Sequence, residues 1–454
     1  MSVQTRFAAL AVAMGCALAA PATAAPGALA MPTIDSFTLP NGLQVAVMHR
    51  AGAPVVSVQV WYHAGSKDEP RNRRGSAHMF EHMMFKGTQH VPPESHAQQI
   101  NRLGGYVNAQ TTEDATHYFQ LLPADYLDFA IQLEAERMRN LLFREDMIKT
   151  EREVVKEEIR QQENNPLVVA VLKFLDTAFT VHPYAWTAGG TIADLDQTTP
   201  ADLKKFYDAY YVPNNALLVV VGDVTTEQVK ASAEKWFGVV PKAAPPPRPA
   251  DAATEPPQNQ ARRLTAPEPS QLGVLITGYK IPAAKHPDTY ALQILSIILG
   301  GGESSRLMQR IKVADPKTKR PLGIAAGTQI LVHEHPGLLL VVGAFLDGAQ
   351  EPAVEAALQS ELDKMIAKGP TADELRKAKN QIQGAFVYGL ESVNGIAEQI
   401  GESWILTGDA SQWMRDVDAF EKLTPADIQK VAKTYLDPKT ATTVVVPPPA
   451  APAN

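Results

Sequence analysis

Residues 75–88 read GSAHMFEHMMFKGT and put two histidines and a glutamate, His78, His82 and Glu81, in a run otherwise rich in methionine and phenylalanine. On a helix, His78 and His82 stand one turn apart and share a face. Two imidazoles so placed can grip one zinc ion, and Glu81 can aim a carboxylate at a water beside the metal. The order H-x-x-E-H inverts the H-E-x-x-H zinc motif. Motifs this short also arise by accident, so the remaining ligand has to be found elsewhere.

It can be found in residues 151–162, EREVVKEEIRQQ. Helical spacing predicts an inward stripe of Met147, Ile148, Val154, Val155 and Ile159, with Glu151 and Glu158 in the same stripe. Carboxylates there are costly without a cation or hydrogen-bond partners. A catalytic zinc site takes three protein ligands and leaves one position open. Glu158 can be the third ligand, and Glu151 can orient a ligand or the water from behind. Glu157, about 100° round the helix, is the rival ligand and lies nearer the charged face. The bland alternative is a solvated acidic face paired to Arg152 or Lys156.

A scaffold must bring these two helices together, and the sequence carries it twice. TPADLKKFYDAYYVPNNALLVVV (199–221) matches TPADIQKVAKTYLDPKTATTVVV (424–446), each a capped helix, a turn at proline and a buried strand. Asn41-Gly42 marks a hairpin turn, VVSVQVWYH alternates like a strand, and residues 107–122 suit a strand pair. Residues 124–140, 146–162 and 200–210 have helical spacing. The expected class is α+β: two homologous tandem domains, each a mostly antiparallel sheet with helices packed on one face. The duplication also supplies a control. Opposite His78, Glu81 and His82, the second half has Leu292, Leu295 and Ser296, so the scaffold itself does not demand ionisable groups there.

The chain has 454 residues, enough for two domains. Its net charge of −7 argues against a nucleic-acid partner. Arg6, an apolar run to Ala20 and Ala22-Thr23-Ala24 form an export signal over residues 1–24, removed after Ala24, without stable membrane insertion. The expected destination is the periplasm, with secretion as an alternative. Lipid attachment at Cys16, the single cysteine, is disfavoured because Met14 fits that pattern poorly. Residues 241–263 are proline-rich and read as an extended linker, dividing domains at 33–240 and 264–446; residues 447–454 read as a disordered tail.

Taken together, these residues resemble the pitrilysin family of zinc metallopeptidases, the inverzincins, and among them a processing-peptidase-like exported bacterial member. The resemblance spans nearly the whole mature chain and rests on HMFEHMMFKGT followed by ERE and a second glutamate. It implies one Zn2+ per chain on His78, His82 and Glu158, a general base at Glu81 and an auxiliary glutamate at Glu151. It implies too that NAQTTEDATHY is an edge strand pairing with substrate backbone, with Asn108 and Ala109 as contacts. The implied architecture is clamshell-like, two related halves enclosing a chamber for extended peptides. The strand at 337–348 lacks the arginine and tyrosine that self-sufficient family members carry there. That departure implies the zinc-bearing subunit of a two-component endopeptidase, paired with a metal-less homologous subunit or acting as a homodimer. The rival function is a non-catalytic assembly or peptide-binding relative. His333-Glu334-His335 reads as a turn rather than a second metal pair, and GGGESSRL (300–307) as a helix end rather than a phosphate cradle. His117 reads as a strand histidine and His182 as a loop residue.

Overall fold

The computed structural model describes residues 33–316 and 318–449. The leader with Cys16 and the last five residues of the tail lie outside the described residues. The first sheet holds β1 (Asp35–Thr38), β2 (Gln44–His49), β3 (Val55–Tyr62), β4 (Tyr106–Thr111), β5 (Thr116–Pro123) and β6 (Ala216–Gly222), in the order β1-β2-β6-β3-β5-β4. The second holds β7 (Arg262–Thr265), β8 (Gly273–Ile281), β9 (Ala325–Leu331), β10 (Gly337–Phe345) and β11 (Thr442–Val446), in the order β7-β11-β8-β10-β9. Without β1 the two orders match strand for strand. The matched pairs β2–β6 and β7–β11 are both parallel, and the other pairings are antiparallel. The fold is α+β, a tandem repeat of one sheet-and-helix unit.

The repeated TPAD segments explain why the halves fold alike. Thr199 and Asp202 form a capping box at the start of the Pro200–Tyr210 helix, and Thr424 and Asp427 repeat it for Pro425–Tyr435. Each box satisfies two of the amide groups that a helix start leaves unpaired. The valine-rich strands that follow, β6 and β11, are buried along their whole length, as suits strands covered on both faces.

The expected arrangement of helices on one face holds within each half, and the second covering comes from the other half. Each half covers one face of its sheet with its own helices, and a helix from the other half closes the opposite face. Ile396, Ala397, Ile400 and Trp404, from the Val393–Thr407 helix, pack on Trp61, Val219 and Val221 of the first sheet. In return Val171, Phe174 and Leu175, from the Pro166–Ala178 helix, pack on Ile276, Leu340 and Val444 of the second. Both contacts need a glycine. A Cβ on Gly401 would stand 2.0 Å from the Trp61 indole, and one on Gly278 would stand 2.3 Å from the Phe174 ring.

The proline-rich segment is strapped down. Arg248 donates to His63 O (2.7 Å), and Glu255 accepts the backbone N–H groups of Thr180, Val181 and His182 at 2.8–3.0 Å. The second sheet starts inside this segment, at Arg262 rather than at 264, because Arg262–Thr265 pairs with β11. The start of the tail is packed as well: Pro447 O accepts from Ser270 N (2.9 Å) and Pro448 is buried. No helix among the described residues is long and apolar enough to cross a membrane.

Candidate metal centre

His78, Glu81 and His82 lie on the Ser76–Met83 helix, whose apolar residues Ala77, Phe80 and Met83 are buried in the first core. Glu69 holds the start of this helix by accepting from Gly75 N (2.9 Å) and Ala77 N (2.7 Å). Glu151 and Glu158 lie on the Glu145–Glu163 helix, which packs through Ile148, Val155 and Ile159. Val154 does not join that stripe and is 42% exposed. It sits one residue, hence about 100°, away from Val155, and the stripe is carried by 148, 151, 155 and 158–159 instead.

The two helices bring three donors together. Glu158 Oε2 is 3.5 Å from His78 Nε2 and 3.7 Å from His82 Nε2, and the three ligand atoms all lie within 4.8 Å of one another. In a tetrahedral zinc site with bonds near 2.1 Å, ligand atoms stand about 3.4 Å apart. Two imidazole nitrogens and one carboxylate oxygen at this spacing therefore fit a zinc ion, with the fourth position open. Among the described residues this is the one such cluster of donors. Glu157, the rival ligand, is exposed and pairs with Arg160 (3.2 Å).

Behind the donors sits a second layer. Glu151 is 5% exposed, and its Oε2 lies 3.3 Å from His82 Nδ1, while its Oε1 takes Lys86 Nζ at 2.8 Å. Lys86 reaches on to Glu94. Neither Arg152 nor Lys156 pairs with Glu151: Arg152 bonds Thr198 O, and Lys156 bonds Glu153 and Asp196. Burial pushes the His82 ring toward neutrality, but Glu151 and Glu158 outweigh it and raise its pKa to about 9. Burial lowers the His78 pKa. The His82 ring holds the Glu158 carboxyl below its usual range. Glu151 is also held low, by His82 and Lys86 against burial. Two anionic carboxylates around two imidazoles make a site that attracts a cation.

The donors open onto a cleft of about 630 Å³, whose wall includes Phe85, Tyr106, Phe119, Gln162 and, from the second half, Glu398. Its floor is β4, which among the described residues pairs with β5 alone and has a free edge. Thr112 N donates to Ala115 O (2.8 Å) at the hairpin end. Antiparallel alternation then turns the N–H and C=O groups of Thr111 and Ala109 to the free edge, and those of Asn108 inward to Phe119. Of the two expected contacts, Ala109 thus presents backbone groups, whereas Asn108 presents its side chain, whose Oδ1 accepts from Ala109 N (2.9 Å). Thr111 Oγ1 donates to Glu81 Oε2 at 2.6 Å.

The sequence reading missed Thr111, Lys86 and Glu398. Lys86 lies inside the motif, four residues past His82 and in the turn just after the helix ends at Met83, so its nearness to the site was available. Thr111 and Glu398 carry no local signal. The bland readings of His117, His182 and 333–335 agree with the geometry. His117 stacks on Trp61 at 3.9 Å in β5, and His182 caps a short turn. The 333–335 segment is the β9–β10 turn, with His333 Nδ1 3.1 Å from Asp114 Oδ2.

Comparison with known proteins agrees with this geometry. The family model described as Insulinase (Peptidase family M16) matches residues 44–190, which hold the whole donor cluster. The model for the Peptidase M16 inactive domain matches residues 197–382, the half with Leu292, Leu295 and Ser296 in place of the donors. The zinc protease PqqE of Helicobacter pylori is 32% identical over 421 residues, covering 92% of this chain and 94% of that protein. The chain belongs to peptidase family M16, the pitrilysin family. Among solved structures, a protease from Helicobacter pylori matches with a TM-score of 0.85 at 32% identity, over 92% of this chain and all of that one. The first half of the periplasmic protease PqqL from Escherichia coli shares the fold, with a TM-score of 0.73 at 20% identity and 91% of each chain covered.

Proposed function

We propose that this M16 protein is a zinc-dependent endopeptidase that hydrolyses peptides or unfolded polypeptides lying extended along β4. The observation that carries this reading is the meeting of His78 and His82 from one helix with Glu158 from another, beside the Glu81 carboxylate. One zinc ion per chain, held by those three residues, supplies a Lewis acid that polarises the scissile carbonyl and eases deprotonation of water. Glu81 accepts the proton of the attacking water and passes it to the leaving amine. A C–O bond forms, the C–N bond breaks, and the proton ends on nitrogen. Glu151, braced by Lys86, fixes the His82 ring through Nδ1. The outward backbone groups of Ala109 and Thr111 pair with the peptide, and the Asn108 amide swings from Ala109 N to the substrate backbone.

The same reading divides the chain into a metal-bearing domain over 33–240 and a metal-less one over 264–446. It places the exported protein in the periplasm. Because β9 and β10 lack the expected arginine and tyrosine, the chain acts as the zinc-bearing subunit with a homologous metal-less partner or a second copy.

Metal analysis of the purified chain, with peptide cleavage measured before and after chelation, tests this. The expected result is one zinc per chain, cleavage lost on chelation and restored by zinc. Glu81→Gln is expected to keep its zinc and lose turnover by about 10²–10⁴-fold. Cleavage that survives chelation, or Glu81→Gln at the normal rate, overturns the reading. Full turnover by the isolated chain removes the need for a metal-less partner.

A further inference from the structure

We infer that Thr111 is a positioning residue for Glu81, holding one carboxylate oxygen so that the other faces the reaction; this rests on Glu81 as the general base.

The contact is short and directed. Thr111 Oγ1 stands 2.6 Å from Glu81 Oε2, and Oε1 accepts no hydrogen bond from the described residues. A glutamate on a helix surface has three rotatable bonds, and nothing else here fixes the last of them. Thr111 itself is stiff. Its β-branched side chain has few rotamers, it is 7% exposed, and it stands opposite Thr116 in a register held by the ladder bonds of its neighbours. The turn just after it is held by both halves of the molecule. Thr112 Oγ1 accepts from Ala115 N (3.1 Å), and Asp114 accepts from Tyr184, from His333 Nδ1 and from Glu334 N at 2.5–3.2 Å. The hydroxyl that grips Glu81 therefore stands on a strand end that is anchored beyond the catalytic helix.

The second half indicates what is scaffold and what is not. On the matching edge strand β9, Thr328 Oγ1 reaches the matching helix as well, donating to Ser296 O (2.7 Å) and meeting Ser296 Oγ (3.0 Å). A hydroxyl bracing strand to helix is thus part of the repeated fold. In the first half alone the brace ends on a carboxylate that opens onto the cleft, so the same device orients a reacting group.

The test uses the zinc-loaded full-length chain with Thr111→Val, Thr111→Ser and, as a scaffold control, Thr328→Val. Thr111→Val is expected to lower kcat by about 10–100-fold, the range for one hydrogen bond to a charged group, with KM and zinc content unchanged. Thr111→Ser keeps the hydroxyl and should restore kcat. Thr328→Val should leave kcat as it is. A second readout needs no turnover: in protein labelled with 13C at glutamate carboxyls, the resonance deleted by Glu81→Gln should move in Thr111→Val and stay in Thr111→Ser. Thr111→Ala takes the place of Thr111→Val if the latter does not fold. Wild-type kcat in Thr111→Val, an equal loss in the serine variant, or an unmoved resonance overturns the inference. A wild-type chain that cleaves nothing, alone or with a metal-less partner, would sink the proposed function, while the resonance would still decide the contact.

Discussion

His82 is engaged at both ring nitrogens, by Glu158 at Nε2 and by Glu151 at Nδ1. That arrangement sets which nitrogen carries the proton when a metal is bound, and it depends on Glu151 remaining charged. Glu151→Gln keeps the volume but loses the anion that Lys86 and His82 share. Zinc affinity is expected to fall by about 10–100-fold, read by competition with a coloured chelator. Val154→Ala, on the outer face of the same helix, should leave it unchanged. The ligand set was legible in the sequence because each member lies on a helix whose 3.6-residue period links positions 78 to 82 and 151 to 158. Thr111 and Glu398 were not legible, because each reaches the site from an element far away in sequence. Val154 was misplaced because a valine next to an inward position looks inward until the stripe's exact phase is known.

At the scale of the element, β4 matters more than its residue types suggest. Which of its backbone groups face the free edge depends on how the 112–115 turn closes, through Thr112 N and Ala115 O. One residue more or less in that turn would reverse the alternation. Strand positions were readable from alternating patterns; this parity was not. The prediction that belongs here is Ala109→Pro. It deletes the outward N–H while leaving the β5 ladder intact, since proline is tolerated on an edge. KM for an extended peptide should rise by up to about tenfold, as expected for one lost hydrogen bond, with kcat and zinc content little changed. Steady-state kinetics of the zinc-loaded variant check it.

At the scale of the molecule, the duplication was plain from the TPAD repeats and their closing valines, and the sheet orders repeat it strand for strand. How the halves join was hidden, because Gly401, Gly278 and Asp114 look ordinary in sequence. Asp114 is a buried junction between the halves. Burial pushes its carboxyl up, but His333, Lys67 and Tyr184 outweigh that and hold it well below the usual carboxylate range. Its unfolded value is near 3.8. The ionised group thus stabilises the fold above that pH, and this contribution is lost as acid approaches the depressed folded value. Urea unfolding should show Asp114→Asn less stable than wild type near neutrality, with the gap narrowing as pH falls below about 4. A gap independent of pH would refute the assignment. The mutual loan of helices has a consequence for how a polypeptide gets in. Parting the two sheets would bare Phe174, Leu175, Ile400 and Trp404 together with the strands beneath them, a penalty on the order of 10 kcal/mol. The chain cannot gape along its own middle. On the proposed function, a door over the β4 floor would then belong to the partner subunit or the second copy.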